Sequence, residues 1–153
     1  MRGVVTTGPA IPVDAIDAPA NVTVVDRAPH SEVLRHASAV VTHAGHGTVI
    51  KTLAAGVPVV AMPLGRDQLD NAARVVHHGA GLRVKPKASA EAIANAVRRV
   101  LDEPSFAANA ERLAAAIAAD LAEDRAVAEL EELADREGSD PSAGRGLTPS
   151  AAM

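Results

Sequence analysis

"ASAVVTHAGHGTVIKTLAAGVPVVAMP", residues 37–63, decides the fold. A β-branched apolar run, Ala37–Thr42, ends in a turn of two histidines and two glycines. "TVIKTLAAG" then carries helical spacing and stops at Gly56, a natural left-handed cap. "GVPVVAMP", Gly56–Pro63, is β-branched again. Strand, turn, helix and strand follow at short spacing. Both strand runs are almost continuously apolar, which suits parallel strands buried on both faces.

The pattern repeats in both directions. "GVVTT" (Gly3–Thr7), "NVTVVD" (Asn21–Asp26) and the short "GLRV" (Gly81–Val84) read as further strands. "HSEVLRHA" (His30–Ala37) supplies one or two helical turns. "DQLDNAARVVHHG" predicts a helix with Leu69, Ala72, Ala73 and Val76 on one face, ending at Gly79. "SAEAIANAVRRVL" has Ser89 as N-cap and Ile93, Val97 and Val100 or Leu101 on one stripe. Pro104 opens the next helix at its first position. From there Leu113, Ile117, Leu121, Val127, Leu130 and Ala134 mark one long helix or two, with a break near Glu123–Arg125. The composition of residues 137–153 is that of a disordered tail. Strands alternating with helices predict an α/β fold with an open, doubly wound, mostly parallel Rossmann-like sheet over residues 1–136.

Composition narrows the function classes. Of 153 residues 48% are hydrophobic but only 1% aromatic, so Ala, Val, Leu and Ile must build the core. A net charge of −4 without a basic run gives no electrostatic basis for nucleic-acid binding. Nothing approaches the ~18 apolar residues of a membrane span. The first residues, "MRGVVTTGP", do not form a signal peptide, and a cytoplasmic protein is expected. The absence of cysteine excludes disulfides, thiol catalysis and thiolate metal sites.

The turn "THAGHGT" lies where ligands bind in such folds, beyond the carboxyl ends of the strands, as does "PLGRDQ". A helix N-terminus offers unpaired N–H groups and a partial positive charge, which together attract phosphate. Gly45 and Gly47 allow the backbone to approach an anion, Thr48 offers a hydroxyl, and His43 a ring N–H. The Gly-Lys-Ser/Thr ending of a P-loop is absent.

The wider stretch from Ala28 to Val84 resembles the donor-binding region of UDP-glycosyltransferase-like enzymes, most closely bacterial macrolide and natural-product glycosyltransferases. Pro29 with His30, "THAGHGT", "GVPVV…P", "DQ..NA" and "GAG" stand in the family's order and spacing. "PSFAANAERLAAAIA" is similar to its closing helix. The resemblance implies the C-terminal half of a GT-B type fold, entered at its second strand. It implies a metal-independent, inverting transfer of a sugar from a nucleoside diphosphate, UDP or dTDP, to a small hydroxylated acceptor. His43, Gly45, Gly47 and Thr48 would bind the diphosphate, Asp67 and Gln68 the donor sugar, and the Arg27–His30 turn, with His30, the nucleotide base. Neither a metal nor a cofactor is implied. Plant-type members carry Trp, Gln, Asn and Glu at positions 27, 30, 47 and 51, where this chain has Arg27, His30, Gly47 and Lys51. Family members also have an N-terminal domain that binds acceptor and supplies a catalytic His. No residue of this chain takes that role, so the isolated chain is expected to turn over no acceptor. The alternative is a nucleotide-sugar-binding module without catalysis, or one that needs a partner chain. An open sheet edge would favour a homodimer or such a partner.

Several of these residues have a second reading. Asp67 is equally well placed to cap its helix, and only Gln68 and the family pattern favour sugar. His46 is as readily solvent-facing as ligand-binding, Asn71 reads as a helix-surface residue, and His77–His78 suit a helix C-terminus. His43 and His46 could form a metal pair, but no acid lies close to them in sequence.

Overall fold

The computed structural model describes residues 1–123 and 125–138. Its strands are β1 (Gly3–Thr6), β2 (Val22–Val25), β3 (Val40–Thr42), β4 (Val59–Ala61) and β5 (Gly81–Arg83). Its α-helices are α1 (His30–Leu34), α2 (His46–Ala54), α3 (Gln68–His77), α4 (Ala90–Asp102), α5 (Pro104–Ala122) and α6 (Arg125–Gly138). Every strand and helix expected from the sequence is present. The break expected near Glu123–Arg125 falls between α5 and α6. Most of the tail assigned to residues 137–153 lies outside the described residues, and α6 itself runs to Gly138.

All strand pairs are parallel, but they form two sheets. β1 pairs with β2, from Gly3 opposite Val22 to Thr6 opposite Val25. β3, β4 and β5 form the second sheet, with Val40 opposite Val59 and Val59 opposite Gly81. The core follows from the alternation of side chains along β4. Val59 and Ala61 point into one cluster with Ala44, Val49, Leu53, Ala72, Val75, Ala80 and Ala110. Val60 points into the other, with Val100 and Phe106. α2 and α3 thus cover one face of the second sheet and α4 the other, while α5 gives Ala110 to the first cluster and Phe106 to the second, the layering of a doubly wound fold. Residues 1–117 make one compact unit, and the end of α5 with α6 belongs to another.

Helix starts and stops follow their sequence signals. The Ser89 hydroxyl accepts a hydrogen bond from Ala92 N at 3.2 Å, the N-cap arrangement. Pro104 opens α5, and Gly56 and Gly79 end their helices with φ of +71° and +66°. Two expectations shift. α2 begins at His46, two residues earlier than the apolar pattern indicated, so His46 and Gly47 form its first turn. α3 buries Asn71, Ala72 and Val75, whereas Leu69 and Val76 are exposed. The buried stripe is rotated because a polar residue, Asn71, sits on the inner face, where hydrophobicity alone would not place it.

Gly81 is required by packing. A Cβ there would run into the Val59 carbonyl oxygen of the neighbouring strand and into Val75. Gly81→Ala is expected to destabilise the chain by about 3 kcal/mol, at the upper end of the usual cost of overpacking. The midpoint of chemical denaturation measures it, and an unchanged midpoint would contradict this account of β5.

Candidate functional site

β3 and β4 are neighbours in parallel register, so the loops that leave their carboxyl ends lie side by side. The first is the turn His43–Gly45, which feeds α2. The second is Met62–Asp67, which feeds α3. The two loops predicted to bind ligand are therefore brought together, at the edge of the sheet where an open α/β fold binds.

The first turn is shaped by its own residues. Thr42 Oγ1 accepts a hydrogen bond from Ala44 N at 3.3 Å. Ala44 is wholly buried and takes φ of +66°, a left-handed conformation unusual for a residue with a side chain. Gly45 is the N-cap of α2 in an extended conformation, and no side chain caps the helix. Thr48 N and Val49 N both turn back to Gly45 O, at 3.1 and 3.0 Å. The helix start is left open to an acceptor from outside, with the positive end of its dipole.

The two glycines of the turn do different things. The Nε2 atom of His43 lies 2.6 Å from where a Cβ on Gly45 would stand, so the imidazole rests over Gly45 and a side chain there would displace it. Gly47 has no such neighbour, because a Cβ there would meet nothing within 4 Å. Packing explains Gly45 and leaves Gly47 to some other demand. His43, His46 and Gly47 are exposed, and Thr48 is half-buried.

The second loop is held by Gln68. Its Oε1 accepts from Leu64 N at 2.8 Å and from Gly65 N at 3.2 Å. The amide oxygen is thus committed to the loop, while the exposed loop residues include Leu64, Arg66 and Asp67. Arg66 is also left-handed, with φ of +58°. Asp67 stands at the N-cap of α3, yet its side chain makes no capping bond. Its Oδ2 instead accepts from Asn71 Nδ2 at 2.9 Å.

Asn71 is the residue that sequence reasoning placed wrongly. It is 6% exposed, not on the helix surface. Its Nδ2 also donates to the Ala44 carbonyl oxygen, at 3.1 Å. One amide group therefore ties the His43 turn to the Asp67 carboxylate. The four-residue spacing from Asp67 to Asn71 was the available signal, since it places both on one helix face.

His30 opens α1, away from these two loops along the chain. It lines a cavity of about 250 Å³ with Thr6, Gly8, Asp26, Arg27 and Ala28, at the carboxyl ends of β1 and β2. The turn read as the nucleotide-base region thus has a concave surface of its own. Arg27 N is held to Asp26 Oδ1 at 2.7 Å. No helix among the described residues is long and apolar enough to cross a membrane.

Comparison with known proteins agrees with this geometry. The family model described as UDP-glucoronosyl and UDP-glucosyl transferase matches residues 15–134. 4'-Demethylrebeccamycin synthase of Lentzea aerocolonigenes is 43% identical over 111 residues, covering 72% of this chain and 26% of that enzyme. The calicheamicin glycosyltransferase CalG4 superposes with a TM-score of 0.79 at 29% identity, over 87% of this chain and 35% of that one. The glycosyltransferase VinC, solved in complex with dTDP, gives a TM-score of 0.66 at 32% identity, over 72% of this chain and 28% of that one. The chain spans about a quarter of the length of the first of these relatives, 26%. Its fold is that of the C-terminal, Rossmann-like half of GT-B glycosyltransferases, and the chain belongs to the UDP-glucoronosyl and UDP-glucosyl transferase family.

Proposed function

We propose that this chain is the donor-binding part of an inverting, metal-independent glycosyltransferase that moves a sugar from a nucleoside diphosphate to a small hydroxylated acceptor. The observation that carries this reading is the clasp at Asn71, which joins an open helix N-terminus to an exposed carboxylate on the neighbouring loop. The first element suits a diphosphate and the second a sugar, and a nucleotide-sugar presents the two next to each other. VinC, to which the chain is similar, was solved with dTDP.

The geometry supports the following roles. The N–H groups at the start of α2 and the His43 ring meet the diphosphate, Gly47 lets it approach, and Thr48 offers its hydroxyl. Asp67 and the free amide nitrogen of Gln68 take sugar hydroxyls. The cavity beside Arg27 and His30 takes the base. During transfer the acceptor oxygen forms its bond to the anomeric carbon as the bond to the diphosphate breaks, so configuration inverts. Negative charge develops on the departing diphosphate, where fixed N–H donors stabilise the transition state. The proton of the acceptor hydroxyl goes to a base outside this chain. Alone, the chain binds donor without turnover.

Calorimetric titration with UDP and dTDP tests the reading. The wild-type chain is expected to bind at least one of them. His43→Ala should weaken that binding by about 10- to 100-fold, the worth of one hydrogen bond to a charged group. A folded chain that binds neither nucleotide would refute the proposal.

Gly47→Ala separates ligand from fold. The added methyl enters open space, so thermal stability should stay within about 0.5 kcal/mol of wild type. Nucleotide affinity should nevertheless fall by roughly 10-fold, because the methyl stands where the phosphate would lie. Equal affinity in the variant would remove Gly47 from the site.

Asn71→Ala tests the clasp. It leaves the Ala44 carbonyl and the Asp67 carboxylate without their donor and should cost about 1–3 kcal/mol of stability. It should weaken a nucleotide-sugar more than the nucleotide alone, because Asp67 then loses its aim. An equal loss for both ligands would show that Asp67 does not meet the sugar.

A further inference from the structure

Hydrophobic spacing and burial disagree on α3. Leu69, Ala73 and Val76 share one stripe of the helix, spaced like the seam of a helix–helix contact. The sheet does not use that stripe. It buries Asn71, Ala72 and Val75 instead. Leu69 and Val76 are left 48% and 44% exposed, and Ala73 between them is exposed as well. An exposed apolar residue on its own is ordinary, but three in helical register make a seam.

The charges beside the seam indicate what covers it. Asp70 follows Leu69 and His77 follows Val76, so the two stand on one flank of the seam, near opposite ends of the helix. Arg74 lies in the same last turn as His77. All three are exposed. Asp70 and Arg74 have the spacing to pair along the helix, yet among the described residues neither takes part in an ion pair. A helix with its acid in the first turn and its bases in the last is complementary to a reversed copy of itself. A two-fold axis at Ala73 sets Leu69 of one copy beside Val76 of the other, and Asp70 of one beside His77 of the other, each contact made twice. A parallel pair would set Asp70 against Asp70 and Arg74 against Arg74, and would align the two helix dipoles. Ala73 at the axis lets the helices approach to about 8 Å, the close end of helix packing.

We infer that α3 is a self-association surface: a second copy of this chain packs antiparallel along Leu69, Ala73 and Val76, with Asp70 against His77 fixing the register. The contact is a small one. α3 has ten residues, about 15 Å of helix, and such a pair buries less than the ~1,200 Å² of a standard interface. The dimer is therefore weak, with a Kd of roughly 0.1 mM. Asn71 is buried on the opposite side of α3, so its bond to Ala44 is left intact. The surface does not depend on donor binding.

Sedimentation equilibrium of the full chain, without nucleotide, tests this. The chain should be mostly monomer at about 10 µM and mostly dimer at about 1 mM. Leu69→Lys or Val76→Lys should raise Kd at least ~10-fold and leave the thermal midpoint unchanged, because both positions are exposed. Asp70→Lys should weaken the dimer similarly, and adding His77→Glu to it should restore Kd to within about threefold of wild type. A chain that stays monomeric at 1 mM, or a dimer that survives Leu69→Lys, overturns the surface. Failure of the charge exchange overturns the antiparallel register. The absence of native cysteine gives a second readout. Under mild oxidation Ala73→Cys should link to itself across the axis. Leu69→Cys and Val76→Cys should link when mixed, since a disulfide needs Cα atoms within about 7 Å. Leu69→Cys linking to itself as readily as Ala73→Cys would also overturn the register.

Discussion

The burial of β4 is the constraint on which the rest of this chain depends. Val59, Val60 and Ala61 are sealed from solvent, and the strand is paired along both edges. Its alternating side chains define two cores; α2 and α3 contribute to one, α4 to the other and α5 to both. Because β4 fixes β3 beside it in parallel, the loops leaving both strands emerge at the same end. The site is a consequence of that register. A shift of one residue would exchange the two faces of β4 and move its loop against the His43 turn.

The cores are built from small residues. Ala44, Ala61, Ala72, Ala80 and Ala110 are all fully buried in one cluster. Helices can approach a sheet closely across such residues, but a gain of even one methylene has nowhere to go. Asn71 fits this scheme. Its amide reaches the Ala44 carbonyl across small residues, since Ala44 and Ala72 are both wholly buried in the same cluster. A buried polar group with its bonds made adds specificity to an otherwise uniform aliphatic core.

Much of this was legible in the sequence, for physical reasons. Long β-branched runs and glycine stops at Gly56 and Gly79 fixed strands and helix ends, because few conformations satisfy them. The loops holding His43 and Asp67 were locatable because chain order in a doubly wound fold dictates where they emerge. The buried face of α3 was not legible. Leu69 and Val76 are more hydrophobic than Asn71, yet they face solvent, and only the partner at Ala44, distant in sequence, reveals why. The split into two sheets was legible only through the family resemblance, which has the chain enter at its second strand, since a strand's own residues say whether it is a strand but not whether both its edges are filled.

Ala44 carries one more consequence. A left-handed alanine is less favourable in the folded chain than glycine would be, but it leaves the unfolded chain with fewer shapes to lose. The cost of bending the turn is therefore met when the protein folds, before any anion arrives. If the turn binds an anion as proposed, that anion meets a backbone already bent to shape, and less of its binding free energy goes into ordering the turn.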